Sequence, residues 1–115
     1  MRLYGISNCD TVKQARAWLD AEGVRYEWVD WRKTPPSIAS LERWSACVGW
    51  GTLLNRRGTT WRALDDAERT RVTDAPSALA LMRARPTLIR RPVVEIDDDV
   101  VVGFDAGEYA RRFAR

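Results

Sequence analysis

The residue best suited to chemistry is Cys9, in the run Ser7-Asn8-Cys9-Asp10-Thr11. The thiolate is the nucleophilic form of cysteine, and a helix N-terminus can lower a cysteine pKa from about 8.5 to roughly 3.5–7.5. Thr11 offers a hydroxyl donor to the same spot, while the carboxylate of Asp10 opposes ionisation unless it points away. Position alone leaves a second reading open, that of a small buried residue that happens to be cysteine. Val12 stands three places after Cys9, so no Cys-x-x-Cys pair is present, and the other thiol, Cys47, is far away in sequence. Cys47 lies near Val48 and Trp50 on what reads as an apolar helix face, and is expected to be a packed thiol rather than a resolving one. The chain has no histidine. That removes the commonest general base, the usual catalytic triad and most zinc sites together. Asp97-Asp98-Asp99 looks like a metal cluster, but no glutamate follows at calcium-loop spacing, and three acids in a turn are expected to be solvated. No metal is expected.

For Cys9 to be activated, a helix must begin beside it. Arg2-Leu3-Tyr4-Gly5-Ile6 reads as a buried strand, Ser7-Asn8 as a turn, and from Asp10 or Thr11 the apolar residues Val12, Ala15, Trp18 and Leu19 recur at helical spacing. Gly23 is placed to end that helix in a left-handed cap. Tyr26 to Trp31 reads as a second strand, which gives a βαβ unit with parallel pairing. Thr34-Pro35-Pro36 is a break, and Ser37 is an N-cap for a helix carrying Ile38, Leu41, Trp44 and Ala46. Gly49-Trp50-Gly51 interrupts it. Arg56 to Thr60 reads as a loop, and Asp65 to Arg85 as helix in pieces, broken by Pro76. Val93–Ile96, a turn over Asp97–Asp99 and Val100–Val102 form a hairpin, followed by an amphipathic helix with Tyr109 and Phe113.

The 115 residues, 45% apolar, predict one domain over 1–115 with a real core. The net charge of +3 comes with acids and bases interspersed, and the six tryptophans fall at core-like spacings, so no nucleic-acid interface is expected. Lys13 and Lys33 are the only lysines among the basic residues. Arginine's planar guanidinium favours anionic partners such as carboxylates and oxyanions. No apolar run is long enough to span a membrane. Two distant cysteines suit a reducing cytoplasm rather than a disulfide framework.

Three blocks of the chain carry a resemblance. Tyr4-Gly5-Ile6 followed by Asn8-Cys9-Asp10-Thr11, then Leu53-Leu54-Asn55-Arg56-Arg57-Gly58-Thr59-Thr60-Trp61-Arg62, then Ile89-Arg90-Arg91-Pro92, resemble the arsenate reductase (ArsC)-like family. The match is closest to its YffB branch, which is related to the Spx regulators. The resemblance implies an α/β thioredoxin-like fold with a mixed sheet, β-α-β then β-β-α, and a helical insertion at about 36–86 between the halves. It implies a cis peptide before Pro92, beside the active cysteine. Arg91 matches a family arginine that faces that cysteine, and Arg90 is expected to be solvated. In arsenate reductases a second arginine follows the Leu-Leu pair. Asn55 occupies that place here, with Arg56 and Arg57 just after it, and Arg57 is the preferred candidate. Gly103-Phe104 stand near a third arginine's position, which argues against arsenate as substrate.

The resemblance therefore implies a thiol reductase with Cys9 as nucleophile. Asn8, Thr11, Arg57, Arg91 and Pro92 are its substrate- or glutathione-binding candidates. No bound cofactor is expected. Glutathione is the implied co-substrate, because nothing local can resolve a mixed disulfide on Cys9. The implied partner is a small thiol or anionic substrate, with a protein partner kept open. Two alternatives stand beside it, an arsenate reductase proper and a non-enzymatic Spx-like regulator that binds RNA polymerase.

Overall fold

Arg2–Gly5 forms β1, with Leu3, Tyr4 and Gly5 buried, in a computed structural model that describes residues 1–113. The chain then turns into α1 (Asp10–Ala21), whose Val12, Ala15 and Leu19 are buried and whose opposite face is polar. Gly23 ends it at φ 68°, where its N–H reaches the Asp20 carbonyl and the Val24 N–H reaches that of Leu19. Both bonds satisfy carbonyls that the helix end leaves over, and a side chain at that φ would be strained. β2 (Glu27–Asp30) pairs parallel with β1 in the register Leu3–Trp28 and Gly5–Asp30.

After an insertion, β3 (Val93–Ile96) pairs antiparallel with β1, matching Leu3 with Val94, and β4 (Asp99–Val102) pairs antiparallel with β3, matching Val94 with Val101. The strand order is β2-β1-β3-β4, the mixed sheet that the sequence implies. Because side chains alternate along a strand, this register puts Leu3, Val94 and Val101 in one row on one face. That row packs with Val12, Ala15 and Leu19 of α1 and with Tyr109 and Phe113 of α7 (Ala106–Phe113). Tyr109 is at the centre of the aromatic contacts. Trp18, Phe104 and Phe113 meet its ring edge to face at 5.7, 4.9 and 5.0 Å. Such pairs add about 0.5–1.5 kcal/mol each beyond the area they bury. The Tyr109 hydroxyl donates to the Gly103 carbonyl at 2.8 Å, so the buried phenol keeps a partner. The hairpin turn proper is Asp97-Asp98, and Asp99 already belongs to β4, where its carboxylate accepts from the Val100 N–H and from Arg112.

The chain divides into two compact units, Met1–Thr34 with Arg91–Arg115, and Pro35–Arg90. The second is helical: α2 (Ile38–Val48), α3 (Trp50–Leu53), α4 (Thr59–Ala63), α5 (Asp66–Thr70) and α6 (Ala75–Ala84), then a 3₁₀ turn at Pro86–Leu88. Ser37 caps α2 by accepting from the Ser40 N–H at 3.1 Å. Leu54 bridges to Ile89, and Asn55 and Arg90 N–H groups donate to Leu88 and Leu53 carbonyls, both at 2.8 Å. Three readings need correction here. Pro76 does not break a helix but sits in the first turn of α6, where no intrahelical N–H is needed, behind an Asp74–Ser77 capping box. Thr59 and Thr60 open α4 rather than ending a loop. Cys47 is exposed, because the inward stripe of α2 runs through Leu41 and Trp44 and the 100° step between residues turns Cys47 away from it.

Among the described residues no helix is long and apolar enough to cross a membrane. Among the same residues no group of acidic or thiol side chains could hold a metal ion.

Candidate active site

Cys9 is the N-cap of α1, with extended backbone at φ −107° and ψ 124°, and its own carbonyl accepts the first helical hydrogen bond from Lys13 at 3.0 Å. An N-cap side chain is aimed at the N–H groups two and three residues on, which the helix itself cannot satisfy. Here those residues are Thr11 and Val12. The Cys9 side chain makes no capping hydrogen bond, but both N–H groups favour its ionised form. Behind this local arrangement stand β1, which delivers the chain to the turn at Ser7-Asn8, and the buried Val12, which anchors the first turn of α1 in the core.

Arg91, which follows the insertion in sequence, also favours the ionised form of the same sulfur. It is partly buried, lies two residues before the start of β3, and its peptide bond to Pro92 is cis, as the resemblance implies. Pro92 is buried, and its carbonyl accepts from the Gly103 N–H at 2.8 Å, which ties the entry of β3 to the exit of β4.

The electrostatics follow. Partial burial pushes the Cys9 thiol up. The Val12 N–H, the hydrogen bond and charge of Arg91, and the Thr11 N–H together outweigh it, and the thiol lies below its ordinary value. The donors around Cys9 favour its ionised form, which is the form of cysteine able to attack a disulfide sulfur or an oxidised main-group centre.

Cys9, Thr11 and Arg91 are thus brought together, with two differences from expectation. Thr11 contributes its backbone N–H rather than its hydroxyl, and Val12 is a donor that sequence reasoning passed over. The signal was available, because Val12 is the third helical residue after a cap at Cys9. Asn8 is exposed in the turn before Cys9, and Asp10 is exposed in the first turn. Arg57 belongs to the other unit. There Asn55 Oδ1 accepts from the Arg57 N–H at 3.0 Å, and the Arg56 guanidinium lies over the Trp50 ring at 5.3 Å. Asn55 and Arg56 are thereby occupied locally, and Arg57 is exposed. Phe104 is partly buried against Tyr109 rather than presented to an anion.

Known proteins resemble this chain along its whole length. The model of the ArsC family matches residues 4–112. A solved structure named YffB is 44% identical, covers 98% of each chain and superposes with a TM-score of 0.94. An arsenate reductase (ArsC) related protein from Brucella melitensis is 43% identical over 97% of this chain and 92% of its own, with a TM-score of 0.77. An uncharacterised protein of Haemophilus influenzae is 38% identical over 97% of both chains. With the thioredoxin-like sheet, the cysteine-bearing helix start and these matches in agreement, the chain belongs to the ArsC family.

Proposed function

We propose that the protein is a glutathione-dependent thiol/disulfide reductase in which Cys9 is the only nucleophile. One observation carries this reading: the Cys9 sulfur sits at a helix N-cap with the Val12 and Thr11 N–H groups and the Arg91 guanidinium all favouring its thiolate. The Cys9 thiolate attacks the glutathione sulfur of a substrate–glutathione disulfide, forms Cys9–S–S–glutathione and expels the substrate thiolate. A glutathione thiolate then attacks the glutathione sulfur of that adduct, releasing oxidised glutathione and restoring the Cys9 thiolate. One disulfide is broken and one formed in each step, and the net change turns the substrate–glutathione disulfide and one glutathione thiol into the substrate thiol and oxidised glutathione. Arg91 keeps Cys9 a good leaving group in the second step, since a stabilised thiolate leaves faster. Asn8 and Thr11 flank the incoming glutathione, and Pro92 shapes the floor beside it. The substrate is a small thiol or an anionic molecule, and the setting is the reducing cytoplasm.

Cys47 is exposed, so the test must remove it. In a Cys47→Ser background, oxidised glutathione should add one glutathione mass, and Cys9→Ser should abolish both the adduct and turnover. In the unsubstituted protein, an internal Cys9–Cys47 disulfide found in non-reduced peptides would overturn the single-nucleophile reading.

Arsenate reduction is the second reading. It is favoured by the relative described as arsenate reductase related and opposed by Phe104, which stands where an anion donor is wanted.

A further inference from the structure

Gly5 closes β1 and is buried, yet its backbone does not call for glycine, since the left-handed glycines are Gly23, Gly49 and Gly103. The requirement is spatial. A Cβ at position 5 would stand 2.9 Å from Val12 Cγ2 and 3.7 Å from both Val12 Cγ1 and the tip of the Trp28 ring. Carbon atoms in contact sit about 3.5–4.0 Å apart, so the first distance is an overlap.

Neither side yields easily. Val12 is β-branched and therefore held to one rotamer in a helix, and it is fully buried in the cluster with Leu3, Ala15, Leu19 and Val94. On the strand side, the Gly5 carbonyl accepts from the Trp31 N–H at 2.9 Å and Gly5 pairs with Asp30. The part left to move is the first turn of α1.

We propose that Gly5 is a positioning residue for Cys9: its bare α-carbon is the space in which Val12 seats, and that seat sets where the first turn of α1 stands beneath the sulfur. A methyl at position 5 displaces Val12, carries its N–H off the line to Cys9, and leaves the thiolate with a weaker cradle. The inference rests on the reading of Cys9 as an activated nucleophile.

The test uses Gly5→Ala, Val12→Ala and the double variant, all in the Cys47→Ser background, with the Cys9 thiolate titrated by ultraviolet absorbance. Gly5→Ala should raise the Cys9 pKa by about 0.5–1 unit, the share of one backbone donor. Val12→Ala keeps its N–H but empties the seat, and should raise the Cys9 pKa less than Gly5→Ala does. The double variant, which removes the overlapping methyls, should return to the parent value. An unchanged pKa in folded Gly5→Ala, or a double variant that stays raised, would overturn the proposal. If Gly5→Ala does not fold, the double variant should fold and titrate as the parent, and its failure to do so has the same force. Should the parent itself titrate as an ordinary thiol, the nucleophile reading falls separately. Amide exchange at Val12 then decides this one. It should quicken in Gly5→Ala and recover in the double variant, and no change would refute it.

Discussion

The guanidinium of Arg91 favours the ionised sulfur of Cys9, although the whole helical insertion lies between them in sequence. Of the groups that favour the thiolate, Arg91 alone brings a full charge. It is also the one that a substitution can remove without touching α1.

Arg91→Ala should raise the Cys9 pKa by about one unit, the scale expected for losing a nearby opposite charge, and slow adduct formation at neutral pH. Arg91→Lys should recover part of the shift, because a point charge replaces the fork but not its geometry. Circular dichroism should show the fold intact. An unfolded Arg91→Ala would mean that Arg91 serves structure rather than the thiol.

Cys9 should alkylate with a pH midpoint below that of a free thiol, since its donors outweigh burial. Folding lowers this pKa, so ionised Cys9 adds stability above the unfolded value of about 8.5. That contribution fades as pH falls through the folded value. Cys9→Ser should therefore match the parent in mildly acidic buffer and fall behind it at alkaline pH, read by denaturant midpoints. A reactivity midpoint at or above the free-thiol value would refute the activated cysteine.

Tyr109→Phe should lose about 1–2 kcal/mol in denaturant unfolding, because the Gly103 carbonyl gives up its donor. Burial pushes the Tyr109 phenol well above its ordinary value. The neutral phenol thus supports the fold below the unfolded value of about 10, and this support drains away as pH rises toward the folded one. The variant should be less sensitive than the parent to strong alkali, while its Cys9 titration stays unchanged.

Arsenate with glutathione should turn over slowly or not at all. Losing one charged donor from a desolvated anion site weakens the transition state by about 2–4 kcal/mol, tens- to nearly a thousandfold in rate. Phe104 is committed to the ring of Tyr109 at 4.9 Å and brings no such donor. Brisk arsenate reduction in a coupled assay would show that another arginine supplies it.

The cysteine at the helix start was legible because strand, turn and helix follow one another within twelve residues, each with its own local signal. Gly23 and Ser37 could be read for the same reason, since caps are local chemistry. Cys47 was misread because a short apolar run does not say which side of a helix faces inward. That direction is set by Leu41 and Trp44 together. Pro76 was taken as a breaker when the capping box two residues earlier made it a starter. Val12 was read as an apolar helix position and as the place where a second cysteine is missing, and its N–H becomes visible once Cys9 is fixed as the cap. The meeting of Cys9 with Arg91 has no local signature, because the β1–β3 pairing joins segments from the two ends of the chain. Only the family resemblance pointed to it.

That same pairing has a consequence for chain entropy. β3 returns to β1 after a long excursion, Pro35–Arg90, and closing such an excursion is an entropic cost that depends only logarithmically on its length. Doubling the excursion adds about 0.6 kcal/mol, and halving it recovers about the same. The helical insertion can therefore vary widely in size between chains that keep Leu3 opposite Val94, and Arg91 will still be delivered to Cys9 at the same register. Length there is thermodynamically cheap, whereas a one-residue slip in β3 would send Arg91 to the other side of the sheet.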